Sequence, residues 1–179
     1  MNSICWTRLA AQRARSIRPD RLIALECAIS PLLRLPDCGF ADIVATGPET
    51  FQLEAEGFSI AYAWARHFRH VLVFGCALRA EADGLDDGEA CVVPRLDVTE
   101  TIEGGDALIP HDVVIRALRG ATCARAWREY LRVTQFDLAS RLGVSQPTLS
   151  ASERTDQLRR KTRERLATAL NISEQQLSF

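Results

Sequence analysis

The chain has 179 residues, 47% hydrophobic and 25% charged, with a formal net charge of −1. This is ordinary globular composition, which excludes a disordered chain, and no run approaches the ~20 apolar residues that a bilayer-spanning helix needs. The length accommodates one large domain or two small ones.

The charge is unevenly distributed. Residues 1–35 carry six Arg against Asp20 and Glu26, residues 36–110 four Arg against fourteen acids, and residues 111–179 twelve Arg and Lys against seven acids. A basic C-terminal third suits phosphate binding, and the acidic middle would repel DNA or attract a basic partner. Trp6 and the Arg-rich start around Arg8, Arg13, Arg15 and Arg18 lack the apolar core and small-residue cleavage site of a secretory signal. The six cysteines (Cys5, Cys27, Cys38, Cys76, Cys91, Cys123) form no Cys-x-x-Cys pair. They read as reduced, mostly buried apolar side chains of a cytoplasmic protein, with no metal and no cofactor expected.

Taken in chain order, Cys5 to Arg15 reads as a helix with Trp6, Leu9 and Ala10 on one face. Ser16 to Asp20 is a helix-start signal with Pro19 in the first turn. The helix that follows is expected to bury Leu22, Ile23, Leu25, Cys27 and Ile29, to end or kink at Pro31, and to continue its apolar face through Leu32, Leu33 and Leu35. Pro36-Asp37-Cys38-Gly39 breaks the chain. The period then changes to two. Phe51 and Leu53, a Glu56-Gly57 turn, and Phe58, Ile60, Tyr62 and Trp64 predict a hairpin with one buried aromatic face. Val71 to Phe74, apolar on both faces, predicts an inner strand. Residues 1–80 thus form a small domain of two helices and an antiparallel sheet. Residues 81–109 read as an acidic connector with one short strand at Ala90 to Val93.

Residues 110–179 read as helical throughout. Pro110 opens a helix that Gly120 closes, and Thr122 caps one carrying Ala126, Trp127, Tyr130 and Leu131. Thr134 and Asp137 suggest a capping box ahead of 135–142, with Leu138, Ala139 and Leu142 on one face. Gly143 supplies the turn, Val144 the corner, and Ser145 caps a second helix over 146–154 with Pro147 in its first turn. Gln157 to Arg160 read as a basic loop, Thr162 as the cap of a helix with Leu166, Ala169 and Leu170, and Ser173 with Gln176 as the cap of a last turn. Two surfaces are candidates for a dimer contact: the aromatic hairpin face of Phe58, Tyr62 and Trp64, where it is not wholly buried, and Leu177 and Phe179 at the chain end. The fold class is α+β, with the small N-terminal domain followed by an all-α, five-helix domain.

Residues 135–154 resemble the helix-turn-helix of Cro/repressor-type (XRE-like) regulators. The likeness extends over Ile109 to Val114, Gly120, Ala126 to Tyr130, Thr134-Gln135 and Ala167 to Ile172, about the last 75 residues as judged from helix-terminal signals. In this longer form it resembles the antitoxin branch of that family, whose members pair with ribonuclease toxins and repress their own operons. The resemblance implies double-stranded DNA as partner, a homodimer on a palindromic operator, a cognate toxin or other protein partner, and no enzymatic activity. Gln146, Thr148, Ser150 and Ala151 face outward on the second helix, led by Ser145 and Pro147, where small polar residues suit a major groove. Arg154 follows. The N–H groups at Gln135 and the basic Arg159, Arg160 and Lys161 suit phosphates. Ser152 stands where the family usually has a large apolar residue, and Thr155 where glycine is common. Trp127 or Phe136 is expected to fill the space beside Ser152; the alternative is a small cavity in which the Ser152 hydroxyl needs a partner.

The order helix, helix, hairpin, inner strand in residues 1–80 also resembles the RelE/HigB-type toxin fold, with a loose likeness across Phe58 to Tyr62 and Val71 to Phe74. That resemblance implies an alternative, a single-chain toxin–antitoxin fusion with an mRNA-cleaving half. Arg66, His67, Arg69, His70 and Arg79 are its candidate phosphate and proton-transfer groups. A solvated turn between strands accounts for the same cluster without chemistry.

Overall fold

The computed structural model describes residues 3–34, 43–45, 50–65, 70–78 and 108–179. The chain is mixed α and β, and divides into two compact units, Met1–His111 and Asp112–Phe179. The predicted strand at Ala90 to Val93 and nearly all of the acidic connector lie outside the described residues.

The first unit opens with a strand, β1 (Ser3–Trp6), where the sequence suggested the start of a helix. Thr7 is extended and its hydroxyl accepts the N–H of Ala10, so helix α1 (Arg8–Arg15) begins only at Arg8. Ala10, Ala11 and Ala14 form its buried face, while Leu9 is 55% exposed. Three alanines allow α1 a close approach to the sheet that longer side chains would prevent. A 3-10 turn at Pro19–Arg21 leads into α2 (Leu22–Ile29), and a second one, Ser30–Leu33, follows where Pro31 cannot continue the helix. Helix α2 buries Leu22, Leu25, Ala28 and Ile29; Ile23 and Cys27 point to solvent, contrary to expectation.

Among the described residues, the strands β2 (Ile43–Ala45), β3 (Thr50–Ala55), β4 (Phe58–Ala65), β5 (His70–Leu78) and β6 (Ile109–Pro110) join β1 in a six-stranded sheet of order β2-β3-β4-β5-β1-β6. The predicted hairpin is β3–β4. Its turn places Glu56 at φ 53° and Gly57 at φ 77°, the paired positive φ that a two-residue hairpin connection needs. The sheet is not purely antiparallel. β1 pairs parallel with β5, Ser3 opposite His70 and Trp6 opposite Val73, because helices α1 and α2 carry the chain away and the antiparallel strands return it. β5 is therefore an inner strand, as its apolar run implied, and Val71 to Phe74 are buried.

The hairpin differs from the one-sided reading. Phe58, Ile60 and Tyr62 are buried, but so are the alternate residues Ala61 and Ala63, which join Leu72, Phe74 and Cys5 in a second apolar layer. A register shift at Ala61/Tyr62 interrupts the β4–β5 ladder. Pro110 does not open a helix. It and Ile109 pair with Cys5 and Trp6 as β6, a strand the sequence concealed because two residues carry no period. Trp6 is fully buried; its indole N–H donates to Nδ1 of His111 at 3.0 Å, with the rings stacked at 6.0 Å.

The second unit is helical: α3 (His111–Leu118, its first residue in the first unit), α4 (Cys123–Tyr130), α5 (Gln135–Leu142), α6 (Gln146–Ser152), α7 (Arg160–Leu170) and a final 3-10 turn, Glu174–Leu177. The expected caps operate. Thr122, Thr134, Ser145 and Ser173 each accept a backbone N–H of the first turn, and Ser173 with Gln176 forms a full capping box. At Thr134 the reciprocal half differs, since its hydroxyl donates to the Asp137 carboxylate at 2.6 Å. Thr162 is not a cap: α7 starts at Arg160, with Arg159 extended ahead of it. Leu177 and Phe179 are buried at 5% and 6% exposure, so the C-terminal apolar pair closes this unit's own core and is not a dimer surface. Trp127 donates to the carbonyl of Gln176 at 2.7 Å, tying that end to α4.

Candidate nucleic-acid interface

Helices α5 and α6 meet across a three-residue turn. Gly143 at φ 65° is the left-handed C-cap of α5, and a β-carbon there would impose strain. Leu138, Ala139 and Leu149 are buried between the helices, with Ala139 small enough for a close crossing. Helix α6 starts at Gln146 with Pro147 in its first turn; the hydroxyls of Ser145 and Thr148 lie 2.8 Å apart, and Ser145 caps the N–H of Thr148.

Of the predicted contact residues, Ser145, Gln146, Pro147, Thr148 and Ala151 are exposed and Ser150 is half-buried. Gln146 lines an open groove together with Gln135, Phe136, Thr134, Arg125 and Arg132. The groove thus collects the leading ends of both helices and two arginines that were not singled out in the sequence. Phe136 is 70% exposed there. Arg154, Arg159, Arg160 and Lys161 are all exposed. Arg160 and Lys161 are not in a loop but in the first turn of α7, which contains no acidic residue. Arg160 pairs with Glu164 at 2.8 Å one turn on. Cations at a helix N-terminus oppose the helix dipole, an arrangement that an external anion relieves.

Gln135 has a second role. Its side-chain N–H donates to the Glu153 carboxylate at 2.8 Å, so that donor is not available to a phosphate, whereas the start of α5 remains exposed beside it. Glu153 also receives Arg128 in a two-pronged pair, Nε at 2.6 Å and an Nη at 3.1 Å, with side chains only 3% and 10% exposed. The other Nη of Arg128 donates to the carbonyl of Val133, and the carbonyl of Glu153 accepts the hydroxyl of Thr122. One buried network therefore joins α4, the turn before α5, the first residue of α5 and the end of α6. A sequence signal existed: Arg128 stands within the apolar face of α4, a turn from Ala124. A buried arginine requires an anionic partner.

The space beside Ser152 is open. Trp127 packs edge-on against Tyr130 and Phe136 turns to solvent, so neither fills it. A pocket of about 150 Å³ remains between α6 and α7.

In the first unit, Arg66, His67, Arg69 and Arg79 lie outside the described residues. His70 opens β5 with an exposed ring bonded to the hydroxyl of Ser3. Among the described residues no cluster of His, Cys, Asp and Glu could hold a metal ion, and no helix is long and apolar enough to cross a membrane. Burial raises the thiol pKa of Cys5. No family model, curated protein or solved structure matches the chain.

Proposed function

We propose that the chain is a sequence-specific, DNA-binding transcriptional regulator, an antitoxin-like repressor of its own operon that binds a palindromic operator as a dimer. Its second unit is a five-helix helix-turn-helix domain in which α6 is the recognition helix. The observation that carries this reading is the α5–turn–α6 pair. It presents Gln146, Thr148 and Ala151 to solvent while the bonds of Arg128 and Gln135 to Glu153 lock the pair. A helix held by buried bonds, with small polar side chains facing out, can enter a major groove and read base edges. The start of α5 and the exposed cations at the start of α7 supply phosphate contacts on either side. Two-fold symmetry would set half-sites about 34–36 Å apart. The first unit is assigned the partner-binding or dimerising role.

The test is a footprint upstream of the protein's own gene, followed by Gln146→Ala and Thr148→Ala. Each side chain contributes about 1–3 kcal/mol of base discrimination, so each variant loses about 5- to 150-fold of specific affinity at unchanged thermal stability. Two variants that protect the operator like the wild type would remove α6 from the groove.

A further inference from the structure

The pocket beneath α6 has a definite chemistry. Leu142, Val144, Leu149 and Leu166 form its apolar walls, and Leu149 and Leu166 are each 1% exposed. The Ser152 hydroxyl does not take up the space, because it donates back to the carbonyl of Thr148 at 3.1 Å. Thr162 and Arg165 complete the same lining. Arg165 is exposed and one of its Nη atoms donates to the carbonyl of Leu142, which holds the guanidinium at this end of the pocket. The charge around it is one-sided. Helix α7 carries Arg160, Lys161, Arg163 and Arg165 against Glu164 alone, and that carboxylate is taken by Arg160.

We infer that this pocket binds a short-chain aliphatic monocarboxylate of four or five carbons, apolar body inward and carboxylate on Arg165 and Thr162. The volume sets the size: about 150 Å³ is that of an apolar cavity that takes up benzene, so an apolar body of three or four carbons fits it with the carboxylate at the open end. The guanidinium and its net positive surroundings decide the head group. The ligand occupies the place that an apolar side chain at position 152 would fill. Because α6 forms one wall, occupancy holds that helix against α7. Its effect on DNA affinity rests on the proposed function, whereas the binding itself does not.

The experiment uses the full chain with methyl groups of Val144, Leu149 and Leu166 observed by NMR during titration with isovalerate. Saturable shifts at these methyls, absent at Val71 and Val73 in the sheet, are expected with a Kd on the order of 1 mM, the affinity that so few atoms supply. Ser152→Leu fills the space and should abolish the shifts while leaving the rest of the spectrum native. Arg165→Gln should weaken binding about three- to fivefold, the range of a solvent-facing ion pair. Absence of saturable shifts, or shifts that persist in Ser152→Leu, overturns the site. Isopentanol binding as tightly as isovalerate overturns the carboxylate. Should Ser152→Leu fail to fold, Leu166→Phe, which fills the same space from α7, replaces it: loss of the shifts supports the site and their persistence overturns it. With operator DNA present, isovalerate should raise affinity; bound ligand with no change in DNA affinity overturns the coupling. A chain that binds isovalerate but no DNA instead removes the regulator reading and leaves the pocket assigned.

Discussion

Replacing Glu153 by alanine removes the acceptor of three charged or amide N–H groups at once: Arg128 Nε, an Arg128 Nη and the Gln135 amide. The guanidinium left behind is 10% exposed, too little for water to restore its hydration. Removing one partner of such a pair costs about 3–5 kcal/mol, because an uncompensated charge stays buried. At ~0.05–0.15 kcal/mol per residue, a unit of about 70 residues is stable by about 3.5–10 kcal/mol, so Glu153→Ala should leave the second unit marginal or unfolded. Glu153→Gln keeps one acceptor oxygen but turns an amide toward a donor, and should cost about 1–3 kcal/mol.

Amide hydrogen exchange of the full chain measures this, since it reads each unit separately. The slowest amides of α5 and α7 should lose the stated free energies, while those of β4 and β5 keep theirs. The double replacement Arg128→Met with Glu153→Leu should recover most of the loss, because well-packed apolar side chains of similar size substitute for a buried pair. It should not recover operator binding, because Gln135 would lose its anchor. A loss below about 1 kcal/mol for Glu153→Ala is the value of a surface ion pair, and would refute the claim that this network is desolvated.

Ser152→Ile should raise the stability of the second unit by about 1–2 kcal/mol, part of the value of burying an aliphatic side chain, since about 150 Å³ is open beside it; a fall in the denaturation midpoint would show that the pocket closes in solution. Glu129 should make the same unit acid-sensitive. The Arg125 hydrogen bond at 2.7 Å, and then the charges of Arg125, Arg128 and Arg116, hold its pKa below the ordinary value of 4.5 against the opposing effect of burial. A depressed carboxyl pKa contributes stability that is present above the unfolded value and lost as pH falls through the folded one, so Glu129→Gln should lower stability at neutral pH and flatten the profile below about 4.5, where the wild type loses the same contribution. Charge removal at Arg159, Arg160 and Lys161 should lower affinity for all DNA sequences and reduce the salt slope by about one unit per lost phosphate contact, with Arg160 contributing least because Glu164 already partners it. An unchanged slope in the triple alanine variant places the start of α7 off the DNA.

The second unit was legible where its signals are local. Thr122, Thr134, Ser145 and Ser173 cap because a hydroxyl three residues from a free N–H needs no tertiary partner, and Gly143 ends α5 because the left-handed region favours glycine. The first unit hid what depends on distant pairing. β1 has four residues, and its partner in the sheet lies at His70 to Val73; nothing within a short window separates Cys5 and Trp6 from the helix that follows. β6 is two residues long and exists only because β1 offers an edge. Exposure at the C-terminus misled for a related reason. Leu177 and Phe179 look unpartnered in sequence, yet the last turn folds back onto α4, where the thiol of Cys123 donates to the carbonyl of Phe179 and Trp127 bonds that of Gln176.

The same contrast explains how α6 is held. A helix of seven residues with Leu149 as its one buried side chain has too little apolar contact to fix its own orientation. Apolar burial is also non-directional, so Leu149 alone would let the helix roll. The directional restraints are at the two ends. Ser145 caps one, and the Glu153 carboxylate, bonded from α4 and α5, clamps the other. Between them, over Ser152, the helix spans an open pocket. The end clamps set the angle at which Gln146 and Thr148 are presented, and the pocket sets how far the middle of the helix can give. Glu153→Gln, which loosens this clamp at a smaller cost in stability, should therefore degrade discrimination between operator sequences, whereas filling the pocket should change affinity for all of them together.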